Sequence, residues 1–242
     1  TVLAVLLSAL LGLAAVRIAS RVRRARRETQ QITRVATQIL RGDLDPAAAA
    51  LTPLAKSQNS YIGAQAELLR AHLAERRGDF KAALASCDAA LGRLSRYAAR
   101  IIATDLLLPE IAATRAFALA ALDRPAEAAA EIAALPPAYP FLARARFRTE
   151  LLALARRGDL TAAALVAARA PADLPIGPRD ELLRDIVRAT AQPGSAGAGE
   201  IERLREELRA EPDQRTWLEA IAPGLLAAFE RATTHDEDAR AE

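Results

Sequence analysis

The chain has 242 residues, 52% of them hydrophobic but only 4% aromatic, with one cysteine and a formal charge of +3 at pH 7. This length allows a sizeable core in one or two domains, and a single cysteine excludes an intramolecular disulfide. Much alanine, few aromatics and few alternating β-branched runs exclude a sheet protein and predict an all-α fold.

Residues 1–16 carry no charge, and the apolar run continues past Arg17 to Ile18 and Ala19. About twenty apolar residues cross a bilayer. Arg17, Arg21, Arg23, Arg24, Arg26 and Arg27 follow the run. A signal peptide has its positive charge on the other side, so the pattern predicts an uncleaved transmembrane anchor over 1–20. The six arginines then contact anionic headgroups, and the bulk of the chain is cytoplasmic in a single-pass membrane protein. No methionine is present, and further residues are expected before Thr1. The sequence pI of about 9.5 is local in origin: without the six arginines of 1–27 the rest of the chain carries about −3. No basic face with stacking aromatics follows, so no nucleic-acid partner is expected.

A basic juxtamembrane helix is expected over 21–41, with Ile32, Val35, Ala36 and Ile39 on one stripe. The next strong pattern runs from Ala64 to Leu94 and pivots on Arg77-Gly78-Asp79. Ala64, Leu68, Ala71 and Ala74 recur at helical spacing before the pivot, and Phe80, Ala83, Leu84, Cys87, Ala90, Leu91 and Leu94 after it. Small facing residues let two helix axes approach closely. Gly78 takes a left-handed conformation that ends one helix, and Asp79 accepts from the free amides that open the next. The frame returns at Gly42-Asp43-Leu44, Asp123-Arg124-Pro125 and Gly158-Asp159-Leu160. Helices are expected over Glu110 to Leu122, Pro125 to Leu135, Tyr139 to Arg156, Leu160 to Arg169 and Arg179 to Thr190, with Tyr97 to Leu108 as an apolar extension between units. QPGSAGAG at 192–199 reads as a linker. Helical segments follow at 201–209 and 214–221, and a last one opens at Pro223-Gly224, within capping helices spanning 200–231. Trp217 is expected to plug the open end of the stack, and 232–242 to be a disordered tail.

With Gly78 as turn glycine, Phe80 two residues later, Ala83 five later, the Ala90-Leu91 pair and Ala71 in the preceding helix, residues 42–191 resemble tetratricopeptide repeats. The turns at 42, 78, 123 and 158 lie near the spacing of about 34 residues typical of that class. The resemblance implies a right-handed solenoid of helical hairpins whose first helices line a concave groove. Carried over by position, it places Leu68, His72, Glu75, Arg76, Phe117, Arg148, Leu152 and Arg156 on a groove for a peptide or helix of a protein partner, with Glu110, Ala113 and amphipathic, somewhat acidic partner chemistry alongside. Positions Leu68 and His72 do not match the clamp that family members use for acidic chaperone tails. The first reading is therefore a membrane-anchored scaffold or adaptor with no catalysis.

Glu28 to Leu44 also resembles the first helix and Gly-Asp-Leu turn of a HAMP signal-relay module, which makes a sensory relay the alternative; Pro53 opposes the second helix such a module needs. An enzyme is the third reading. His72 and His235 are the only histidines, no metal-ligand spacing is present, no catalytic residue is assigned, and Cys87 on an apolar stripe reads as an inert buried thiol. No cofactor and no metal are expected.

Overall fold

The computed structural model describes residues 2–95, 106–135, 140–170, 177–192 and 198–241, with side chains described except in 2–15, 140–141, 198 and 233–241. Among the described residues every regular element is an α-helix. In chain order these are α1 Val2–Arg41, α2 Leu44–Ala55, α3 Ser60–Arg76, α4 Phe80–Arg93, α5 Leu107–Ala121 and α6 Pro125–Ala133. Next come α7 Pro140–Arg156, α8 Leu160–Ala168, α9 Pro178–Ala191, α10 Ala198–Ala210, α11 Pro212–Ile221 and α12 Pro223–Ala241.

The pairs α1/α2, α3/α4, α5/α6 and α7/α8 are hairpins, and each is closed by the same turn. Gly42, Gly78, Asp123 and Gly158 have φ of 87°, 73°, 61° and 75°. At each, the amide of the left-handed residue bonds a carbonyl three back and the next amide a carbonyl five back, as in Gly78 N to Glu75 O at 3.0 Å and Asp79 N to Ala74 O at 2.9 Å. This double closure satisfies carbonyls that the helix end leaves free. The following helix opens on a side-chain cap in two cases: Asp79 accepts from Ala82 N at 2.9 Å and Asp159 from Ala162 N at 3.1 Å. At α6 no cap bond forms; Pro125 supplies the fixed φ and lacks the amide that would otherwise be orphaned.

One core cluster unites Leu68, Phe80, Phe117 and Leu152 of the hairpins with Trp217, Leu225 and Phe229 of the C-terminal helices. A second joins Ile32, Val35 and Ile39 of α1 to Leu51 and Ile62 of α2 and α3. Trp217 is 1% exposed, inside the main core, and Cys87 is buried as expected.

Several expectations change. The expected anchor, from Val2 on, and the segment 21–41 form one unbroken helix of 40 residues, Val2–Arg41, because no glycine or proline stop separates them. Among the described residues no helix is long and apolar enough to cross a membrane, and the anchor residues 2–15 lie outside those whose side chains are described. Helix α2 passes through Pro53 and ends two residues later, so the lost amide and ring clash fall in its last turn and do not interrupt its middle. The tail expected from 232 is helical as far as Ala241, since no breaker follows Gly224. The Tyr97 to Leu108 extension falls mainly outside the described residues, as does most of the 192–199 linker.

Candidate functional site

Helices α3, α5, α7 and α9 converge on Arg148. Its guanidinium lies 3.6 Å from the centroid of the Phe117 ring, pairs with Glu75, and approaches Asp180 Oδ1 with Nε at 3.2 Å. Arg144, one turn earlier on α7, gives Nε and Nη2 to Asp180 Oδ2 at 2.9 and 2.6 Å. Asp180 is 2% exposed and sits in the first turn of α9, where free amides and the helix dipole favour a carboxylate. Burial lowers the Arg148 pKa, but Asp180 and Glu75 outweigh it and hold the pKa above the ordinary arginine value. Such a cluster contributes little net stability compared with apolar packing but is costly to break. Its role is to fix how four helices meet.

His72 lies beside this cluster. Its Nε2 lies 3.1 Å from Thr114 Oγ1, and that hydroxyl donates to the carbonyl of Glu110 at 2.9 Å. Because the hydroxyl's only proton is committed to Glu110, Nε2 is the donor to Thr114. Beside this pair a recess of about 290 Å³ opens between α3, α5 and α7, lined among others by His72, Glu75, Arg76, Glu110, Arg144 and Arg148. Ile39 and Leu40 of α1 form its apolar lip; Leu40 is 74% exposed.

Four of the eight residues expected on the groove, His72, Glu75, Arg76 and Arg148, share this recess. Leu68, Phe117 and Leu152 belong to the core, at 4%, 1% and 0% exposure, and are not groove surface. The reason is that these side chains join one core with Phe80 and with Trp217, Leu225 and Phe229 of the C-terminal helices. Arg156 Nη1 donates to Ile221 O at 2.6 Å, Arg179 Nη1 donates to Arg76 O at 2.9 Å, and Arg179 rests 5.3 Å from the Trp217 ring centroid. Arg156 is thus a tether to α11. Residues that the sequence did not single out, Leu40, Thr114, Arg144, Arg179 and Asp180, complete the arrangement. Arg144 and Arg148 at a four-residue interval on α7, which also carries Arg146, Glu150 and Arg156, were the available signal.

The arginines 17, 21, 23, 24, 26 and 27 are all exposed on α1. Arg24 pairs with Glu28 at 2.9 Å, and Val16 and Ile18 between and before the charges are 66% and 62% exposed. Burial, reinforced by Asp88 and Glu75, pushes the Cys87 thiol up to about 12, which suits packing and not nucleophilic chemistry. Among the described residues no three His, Cys, Asp or Glu side chains are grouped to hold a metal ion. In comparisons with protein-family models, curated proteins and solved structures, the chain has no significant match.

Proposed function

We propose that the chain is a membrane-tethered helical-repeat adaptor, similar to tetratricopeptide-repeat proteins, that docks a protein partner at the α3/α5/α7 recess. The observation that carries the repeat reading is the identical left-handed turn at 42, 78, 123 and 158. A recess of about 290 Å³ accepts one or two side chains, so the partner inserts an anchor residue and does not lay a whole helix along an open groove. Leu40 and Ile39 suit an apolar contact, and Arg76, His72 and Glu110 a polar one beside it. The reading assigns no reaction. On the membrane side, residues 1–20 enter the bilayer and the arginines of 17–27 meet anionic headgroups on the cytoplasmic face.

A photo-crosslinker at position 40 tests the docking surface. It is expected to capture one protein that Leu40→Asp releases and that crosslinkers at exposed Arg169 or Glu206 do not capture. Equal capture from all three positions would defeat the assignment. Flotation of the full chain with anionic but not zwitterionic vesicles, after replacing residues 2–16 by a polar segment, tests the arginine contact separately.

A signal relay is the second reading. It is favoured by the continuity of α1, which links residues 2–20 without a break to the packing of Ile32, Val35 and Ile39. Inserting one residue near position 25, which turns the helix about 100°, disables a relay and leaves a tether working.

A further inference from the structure

Helix α6 packs mainly on α5 and only sparsely on α7. It has nine residues, and Ala128 is the one that is buried; a helix this short has little stability of its own. Against its other side, α7 stands off and leaves a cleft of about 640 Å³. Ala126, Ala129, Ile132 and Ala133 of α6 and Ala153 and Leu154 of α7 give it apolar walls. The cleft lies on the face of α7 opposite Arg144 and Arg148, so it is separate from the recess.

Three features of the cleft point to a ligand. First, Thr149 lines it and is 3% exposed, but its hydroxyl has no hydrogen-bond partner. Six other helical threonines, Thr29, Thr33, Thr37, Thr52, Thr114 and Thr190, each donate to the carbonyl four residues back. Thr149 leaves that bond unmade, and an unpartnered buried hydroxyl is costly. Second, the rim carries Arg146, Glu150 and Arg157: two cations and one acid, an excess that one negative charge neutralises. Arg146 is already tied to Leu135 O at 2.7 Å, whereas Arg157 is exposed and its side chain makes no ion pair or hydrogen bond among the described residues. Third, volume and lining match small-molecule sites, which are mostly apolar with a few placed polar groups and span roughly 300–1,000 Å³.

We propose that the α6/α7 cleft binds a small amphipathic monocarboxylate. Its apolar body lies on the alanine walls and Ile132, its carboxylate pairs with Arg157, and a polar atom of its body meets the Thr149 hydroxyl. Occupancy supplies α6 with the packing it lacks on that side.

Hydrogen exchange of the full chain in detergent or nanodiscs, read over Pro125–Ala133, tests this with 4-phenylbutyrate as the probe. The controls 4-phenylbutylamine and 4-phenylbutanol keep the body and change the head. The expected result is a saturable, severalfold slowing of α6 exchange by the carboxylate alone, with α3 and α4 unchanged. Arg157→Gln weakens the effect about tenfold, and Ala129→Trp or Ala133→Phe, both at exposed positions, abolishes it by filling the cleft. No saturable slowing, equal slowing by the amine, slowing spread over α3 and α4, or persistence in Arg157→Gln and both filling variants would each overturn the proposal.

Discussion

Arg179, the second residue of α9, donates to the carbonyl of Arg76, the last residue of α3, at 2.9 Å, although 103 positions separate them. The same guanidinium faces Trp217 of α11. One side chain therefore joins the second hairpin to α11. Burial and the nearby charge of Arg76 lower its pKa, so the contact is made against an electrostatic cost. Arg179→Ala is expected to lose about 1–3 kcal/mol, the range for a hydrogen bond to a charged group. Trp217 is the only tryptophan, so a red shift of its emission in urea titrations reports the loosening directly. An unshifted spectrum with unchanged stability would show that the α3–α9 contact is incidental.

Gly177 is required by Arg144. A Cβ at 177 would lie 2.5 Å from Arg144 Nη2, although the backbone there, at φ −77° and ψ 160°, is open to any residue. Gly177→Ala therefore displaces Arg144 and leaves the buried Asp180 dependent on Arg148 alone. The expected cost is about 1–3 kcal/mol. Because Gly177→Ala and Arg144→Ala break the same contact, the double variant costs clearly less than the sum. Additive losses in a double-mutant cycle would separate the two residues.

The four turns differ in what surrounds them. At Gly158 an added Cβ meets nothing within 4 Å, whereas at Gly78 it meets Ala220 Cβ of α11 at 3.2 Å. Gly158→Ala is expected to cost about 1–2 kcal/mol from the left-handed backbone alone, and Gly78→Ala more. Asp123, the turn residue with a side chain, has φ 61°. Asp123→Gly should stabilise the protein, by relief of the same strain. Melting temperatures of the three variants provide the order.

Burial pushes the Cys87 thiol up to about 12 in the folded chain, from an ordinary value of 9.0. Between these values the folded chain keeps a proton that the unfolded chain releases, so rising pH favours unfolding and the contribution is complete only below about 9. Cys87→Ala should lose less stability than the parent between pH 8 and 10.5 in urea titrations, whatever its cost at pH 8. The native thiol should also resist iodoacetamide at pH 8 and react once unfolded.

Thr149→Val removes the unpartnered hydroxyl at nearly constant volume. The free protein should become more stable by about 1 kcal/mol, seen as a higher Tm; a lower one would mean that the hydroxyl has a partner in solution.

The helices and their ends were legible in the chain because their causes are local. A 3.6-residue apolar period, a glycine free to reach positive φ and an aspartate one residue later act within a turn or two, and they mark the pivots at 42, 78 and 158 directly. Asp123 was found by spacing, and its left-handed backbone shows the frame overriding residue preference. The site was only half legible. His72, Glu75, Arg76 and Arg148 were on the right helices, but Leu68, Phe117 and Leu152 were placed on a surface.

By itself, the sequence determined an all-helical chain and where it turns back, since these follow from each residue's neighbours along the backbone. Only the tertiary structure decided that α9 and α11 return to the end of α3, that Arg148 finds both Glu75 and Asp180, and that Phe117 is covered. Those partners are 73 and 32 positions from Arg148, and burial at such range depends on how the whole set of helices packs, which no local pattern encodes.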